Sequence, residues 1–152
     1  MPHIHDLIDF TVGIYIIYHD QVLLIDHKLY SIWLPIGGHI ELDEDPEQAL
    51  HREVMEECGL KVTLLSKKED KIDSEYLKSL PPPNFMDIHK AGNNHKHMNL
   101  VYFARADTDQ VVLEEAAHNA IRWFSKKDLD DPKYKLLKEV KFYAKKALKL
   151  AQ

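Results

Sequence analysis

Apolar and polar positions alternate or run together along the first forty residues in a way that predicts extended chain. Phe10-Thr-Val-Gly-Ile-Tyr-Ile-Ile-Tyr18 is rich in β-branched and aromatic residues and reads as a strand. His19-Asp20-Gln21 breaks it, and Val22 to Ile25 reads as a second strand, so the two predict a hairpin. Ile32-Trp33-Leu34 is a short strand that enters Pro35-Ile-Gly-Gly38, which reads as a glycine loop. Leu60 to Leu65, Phe85 to His89, Met98 to Ala104 and Ile121 to Phe124 complete the strand signals.

The spacing changes to a helical period in two places. Asp45-Pro46-Glu47 places a capping acid, a first-turn proline and a further acid at a helix start. Gly59 supplies the stop after Cys58. Asp131-Pro132 repeats the start signal. Tyr134, Leu137, Val140, Ala144, Ala147, Leu148 and Ala151 then recur at helical spacing and predict a terminal helix. Ser66 to Lys78 is charged and irregular, and Pro81-Pro82-Pro83 excludes a helix interior or central strand. The order is mixed α and β.

Composition narrows the class. A chain of 152 residues with 45% hydrophobic and 30% charged residues suits one globular domain. Cys58 is the single cysteine, so no internal disulfide supports the fold. No stretch approaches the roughly 18 apolar residues of a membrane span. The Met-Pro-His-Ile-His start shows no basic region followed by an apolar core. These features predict a cytoplasmic protein without a membrane partner. The net charge of −5 disfavours nucleic acid as a partner.

Charge distribution says more than net charge. Eight acids and one arginine fall between Glu41 and Glu57. Glu53, Glu56 and Glu57 stand at i, i+3 and i+4 of the predicted helix, which puts them on one face. Three such carboxylates repel at neutral pH, and a hard divalent cation with oxygen ligands, magnesium or manganese, relieves that repulsion. A solvated acidic face is the alternative when such glutamates stand alone.

They do not stand alone. From Gly38 to Leu60 the chain matches Gly-x5-Glu-x7-Arg-Glu-U-x-Glu-Glu-x-Gly-U, where U is aliphatic, at all nine specified positions. This is the Nudix box, and the chain resembles the Nudix hydrolases over most of its length. The resemblance implies an α/β/α sandwich with a mixed β-sheet, with residues 1–152 as one domain. It implies metal-dependent hydrolysis of a nucleoside diphosphate linked to another group, with Mg2+ or Mn2+ as cofactor. By position, Glu53 and Glu57 look like direct ligands, and Glu56 like a further ligand, a water-mediated ligand or the base. The Gly37 carbonyl would complete the shell. Arg52 would orient the glutamates and Glu44 would support it. A small nucleotide derivative would be the partner, and the protein a monomer or homodimer. The rival reading is a Nudix-fold module that binds a nucleotide without cutting it; the intact glutamate set favours the enzyme.

Departures from the family pattern lie at the base. Ala120 stands where many relatives carry a glutamate before the penultimate strand's tryptophan, and Glu114 and Glu115 are nearby acids. Subfamily markers do not fix the substrate. Tyr76, sixteen residues past Leu60, is a weak match to dinucleoside-polyphosphate members. The chain also carries ten histidines. His89, His95 and His97 fall across one predicted hairpin, and His39 follows the glycine pair. His39, His95 and His97 are candidate substrate-binding groups. For the hairpin set, a second metal site, phosphate donors and solvated polar residues remain open readings.

Overall fold

The computed structural model describes residues 3–66 and 70–152. The Met1-Pro2 start and residues 67–69 of the charged connection lie outside the described residues. The strands are β1 (Ile8–Tyr18), β2 (Gln21–His27), β3 (Ile32–Leu34), β4 (Ile36–His39), β5 (Val62–Leu64), β6 (Phe85–Lys90), β7 (Lys96–Ala106) and β8 (His118–Ser125). The helices are α1 (Pro46–Cys58), α2 (Lys126–Leu129) and α3 (Lys138–Leu150), with a 3-10 turn at Pro132–Tyr134.

The sheet is built on a parallel pair. β1 runs beside β7 in unbroken register from Ile8 opposite Lys96 to Ile17 opposite Arg105. The other edge of β1 is shared: its first half pairs with β4 and its last residues pair with β2. β7 is shared likewise between β6 and β5. β2 pairs with β8 along its outer edge, and its last residues pair with β3 on the same edge that meets β1.

Alternation along β1 sorts the core into two layers. Val12, Ile14 and Ile16 pack with Ala49, Leu50, Val54 and Cys58 of α1. Tyr15 and Ile17 pack with Val140, Ala144, Ala147 and Leu148 of α3 on the opposite face. Period-two burial on a strand covered on both sides gives the α/β/α sandwich that the resemblance implies. Among the described residues, no helix is long and apolar enough to cross a membrane.

Two local expectations change. Pro35 to Gly38 is not a free loop: Ile36 to His39 pairs with β1. Tertiary pairing overrides the poor strand propensity of two glycines. The terminal helix starts at Lys138 and not near Tyr134. Asp131 does accept from the Lys133 N–H, but the turn it starts is 3-10 and ends where Lys135 adopts φ 49°. A left-handed non-glycine residue cannot continue a right-handed helix.

Candidate active site

Helix α1 is fixed at both ends by its own sequence. The Asp45 carboxylate accepts from the Gln48 N–H at 2.9 Å, and the Gln48 side chain accepts from the Asp45 N–H at 2.9 Å. Gly59 takes φ 72°, a left-handed value that suits glycine, and closes the last turn. The buried stripe between these ends is Ala49, Leu50, Glu53, Val54, Glu57 and Cys58. Full burial of side chains such as Leu50 and Val54 contributes roughly 1.5–3 kcal/mol each. That packing holds two carboxylates in the same stripe, against the sheet.

Glu53 and Glu57 are each only 5% exposed, whereas the Glu56 side chain is 56% exposed. The three glutamates therefore divide into two buried groups and one that faces solvent. Burial, and then the adjacent Glu57 charge, push the Glu53 carboxyl well above the usual carboxylate range. Glu57 has both oxygens engaged. Its Oε1 accepts from the Gly37 N–H at 2.9 Å, and His118 Nε2 lies 3.0 Å from its Oε2.

Strand β4 supplies backbone to this site by register. Ile40 donates to the Phe10 carbonyl, so alternation leaves Gly37 and His39 as the non-bonded partners of Gly13 and Thr11. Their backbone groups face away from β1. The Gly37 N–H meets Glu57, and the His39 carbonyl accepts from Arg52 Nη2 at 3.1 Å. The Gly37 carbonyl shares that outward edge. Gly38 makes room for the acid: a Cβ there would lie 2.2 Å from Glu53 Oε1.

Arg52 is the positive centre. Nε donates to Glu44 Oε2 at 2.7 Å and Nη2 to Glu44 Oε1 at 2.9 Å, a bidentate pair. Nη1 donates to Glu53 Oε1 at 3.0 Å and to Glu56 Oε2 at 3.2 Å. The Arg52 hydrogen bonds hold the Glu44 carboxyl below its usual range. Glu44, Glu53, Glu56, Glu57, Arg52 and Gly37 are thus brought together.

A hard cation fits these residues. Two buried carboxylates on adjacent turns, with one guanidinium among them and no side chain on Gly37 or Gly38, form an oxygen-lined acid site with excess negative charge. Glu114 and Glu115 are exposed on the loop before β8. Tyr76 is 91% exposed. Cys58 is buried, donates to the Val54 carbonyl at 3.1 Å, and burial pushes its thiol up to about 11. It is packing, not a nucleophile.

The histidines gather elsewhere. His39, His95 and His97 surround Asp9, whose side chain is fully buried. Asp9 opposes His97 and Thr11 opposes His39, at odd positions of β1 that share the Tyr15 and α3 face. Gly38 opposes Val12, on the α1 face. His39 and His97 therefore project from the sheet face opposite Glu53 and Glu57. Burial alone would raise the Asp9 carboxyl, but the His5 and Ile4 N–H groups and the His39 and His3 imidazoles hold it at about 2.

Sequence reasoning did not select His118, His3 or Asp9. His118 stands alone in a polar stretch, 61 residues after Glu57, and only the pairing of β8 with β2 carries it to the helix. His3 belongs to the histidine-rich start of the chain, which was the available signal.

Residues 8–146 match the family model described as NUDIX domain. No curated protein matches the sequence. Among solved structures, a NUDIX-family hydrolase from Clostridium perfringens is 34% identical, with a TM-score of 0.83 over 95% of this chain and 98% of that one. A MutT NUDIX hydrolase from Burkholderia pseudomallei is 24% identical, with a TM-score of 0.66 over 97% and 100%. An Ap4A hydrolase from C. elegans shares the fold at 19% identity, with a TM-score of 0.63 over 94% of each chain.

Proposed function

The chain belongs to the Nudix hydrolase family, and from that premise we propose that it hydrolyses a pyrophosphate bond in a nucleoside diphosphate linked to another group. The observation that carries this reading is the pair of buried carboxylates, Glu53 and Glu57, held against the Gly37-Gly38 backbone. Burial of like charges is costly unless a cation is shared.

Glu53, Glu57 and the Gly37 carbonyl would hold the divalent ion, magnesium or manganese. When bound, that ion neutralises the phosphate oxygens and acidifies the attacking water. The chain's own residues do the rest. The Gly37 N–H and His118 fix the two oxygens of Glu57. Arg52 fixes Glu53 and is itself fixed by Glu44. Glu56 is the one of the three glutamates left facing solvent, and its Oε2 accepts from Arg52 Nη1 at 3.2 Å. It is positioned to take the proton of the water as that water attacks phosphorus. The water oxygen forms the new P–O bond, and the bridging oxygen leaves with the electron pair of the old one. No loop acid is required in this assignment, which accommodates Ala120.

The substrate is a small nucleotide derivative. An Ap4A hydrolase and a UDP-X diphosphatase share the fold, and both names denote phosphoanhydride substrates. The test is a panel of dinucleoside polyphosphates, nucleoside diphosphate sugars, ADP-ribose and nucleoside triphosphates, incubated with magnesium or with EDTA. Magnesium-dependent cleavage of at least one member is expected. Tight binding of a panel member with no cleavage would instead establish the non-catalytic module.

A further inference from the structure

Four donors from three separated parts of the chain meet on the α3 side of the sheet. One ligand atom each from His3, Asp9, His95 and His97 lie within 4.8 Å of one another. Asp9 is at the start of β1, His97 opposes it on β7, His95 sits in the turn before β7, and His3 comes from the segment that precedes β1.

The protons in this cluster do not balance its donors. His95 Nδ1 lies 2.9 Å from the Asp6 carbonyl, which only accepts, so Nδ1 carries a proton. In the neutral ring Nε2 then bears a lone pair. That nitrogen is buried, has no hydrogen-bond partner among the described residues, and lies 3.3 Å from Asp9 Oδ2. A lone pair facing a carboxylate oxygen is repelled unless a proton or a metal cation lies between them. His95 is 5% exposed, so water does not screen the pair. His97 Nε2 is also buried without a partner among the described residues.

The same Asp9 oxygen is approached by His3 Nδ1 at 3.2 Å, by His39 Nε2 at 3.0 Å and by the Ile4 N–H at 3.2 Å. One oxygen cannot satisfy all of them. A single extra proton would settle one contact; a cation among the donors would settle several.

We propose that His3, Asp9, His95 and His97 form a second metal site, one that takes zinc. Three imidazoles and one carboxylate are a borderline-soft set that suits zinc better than magnesium. The hydrogen bond from His95 Nδ1 to a backbone carbonyl is the outer contact that metal-ligating histidines use to fix the ring and its tautomer. Ligand atoms around tetrahedral zinc stand about 3.3 Å apart for bonds of about 2.0–2.1 Å. The cluster must therefore contract by up to about 1.5 Å at its widest, and the half-exposed His3 side chain is the donor freest to move. With four protein ligands the site is closed and structural. It ties the chain before β1 to the β6–β7 hairpin, on the face away from the carboxylates.

Cobalt(II) titration of metal-free full-length protein tests this. One equivalent of Co2+ is expected to give the intense visible absorption of a four-coordinate ion, and Zn2+ should abolish it. His3→Ala and His97→Ala should each weaken the binding that gives this band at least tenfold with the fold retained by circular dichroism, and Glu57→Gln should keep the band. Should His97→Ala fail to fold, His3→Ala alone decides, because His3 lies at the surface. Absence of the band in wild type, or a band that survives in His3→Ala, overturns the site. A band lost in Glu57→Gln but kept in His3→Ala assigns the ion to the carboxylates instead.

Discussion

His118 Nε2 lies 3.0 Å from Glu57 Oε2, with both residues buried, so a strand β8 side chain holds one of the two buried carboxylates of α1. Because Gly37 already donates to Oε1, the imidazole fixes the remaining oxygen. Loss of such a supporting partner typically costs about 10–100-fold in metal affinity or activity. His118→Ala is predicted to raise the magnesium concentration for half-maximal thermal stabilisation by that factor. Circular dichroism should not change. An unmoved magnesium midpoint would remove His118 from the site.

Adjacent glycines give opposite outcomes. A Cβ on Gly37 would stand 2.2 Å from the Val12 carbonyl oxygen, part of the neighbouring strand's backbone. Overpacking of this kind costs about 1–3 kcal/mol, so Gly37→Ala should melt earlier than wild type in EDTA. A Cβ on Gly38 meets the Glu53 carboxylate, the end of a side chain that can swing away. Gly38→Ala should keep its melting temperature in EDTA and lose the gain on adding magnesium. The reverse order of effects would contradict the placement of β4 against α1.

The start of α1 gives a pH-dependent prediction. Asp45 is partly buried, which opposes ionisation, but the Gln48 N–H and the Lys78 ammonium outweigh this and lower its pKa below the ordinary 3.8. A carboxyl depressed by folding stabilises above its unfolded pKa, and that contribution fades as pH falls below it. Asp45→Ala should cost about 0.5–2 kcal/mol at neutral pH. The melting temperatures of wild type and variant should converge below about pH 4. A constant gap from pH 7 to pH 3 would show that the carboxylate charge is not what caps the helix.

The box helix was legible because its signals are local. Asp45, Pro46 and Gly59 mark its ends within the helix's own sequence, and the glutamate spacing marks its face. The division of that face was not legible. Glu53 and Glu57 fall in the stripe of Leu50 and Val54, while Glu56 lies off it, and only packing against the sheet decides this. Strand β4 was hidden because glycine has poor strand propensity, and its partner β1 lies 22 or more residues earlier. His95 and His97 were visible as a pair. Asp9 as their centre was not, since the parallel pairing of β1 with β7 joins residues 88 apart.

The central claim is that buried carboxylates on α1 hold the ion that makes the chain a pyrophosphohydrolase. The most direct measurement is 31P NMR of the cleaved panel substrate in magnesium, comparing wild type with Glu53→Gln and Glu57→Gln. Each change keeps the side chain's shape and removes one charge from the ligand set. Turnover should fall by at least about 10²-fold in both variants, given the several kcal/mol that such an ion contributes. Their far-UV circular dichroism should match wild type. Near-normal turnover in either folded variant would contradict the account.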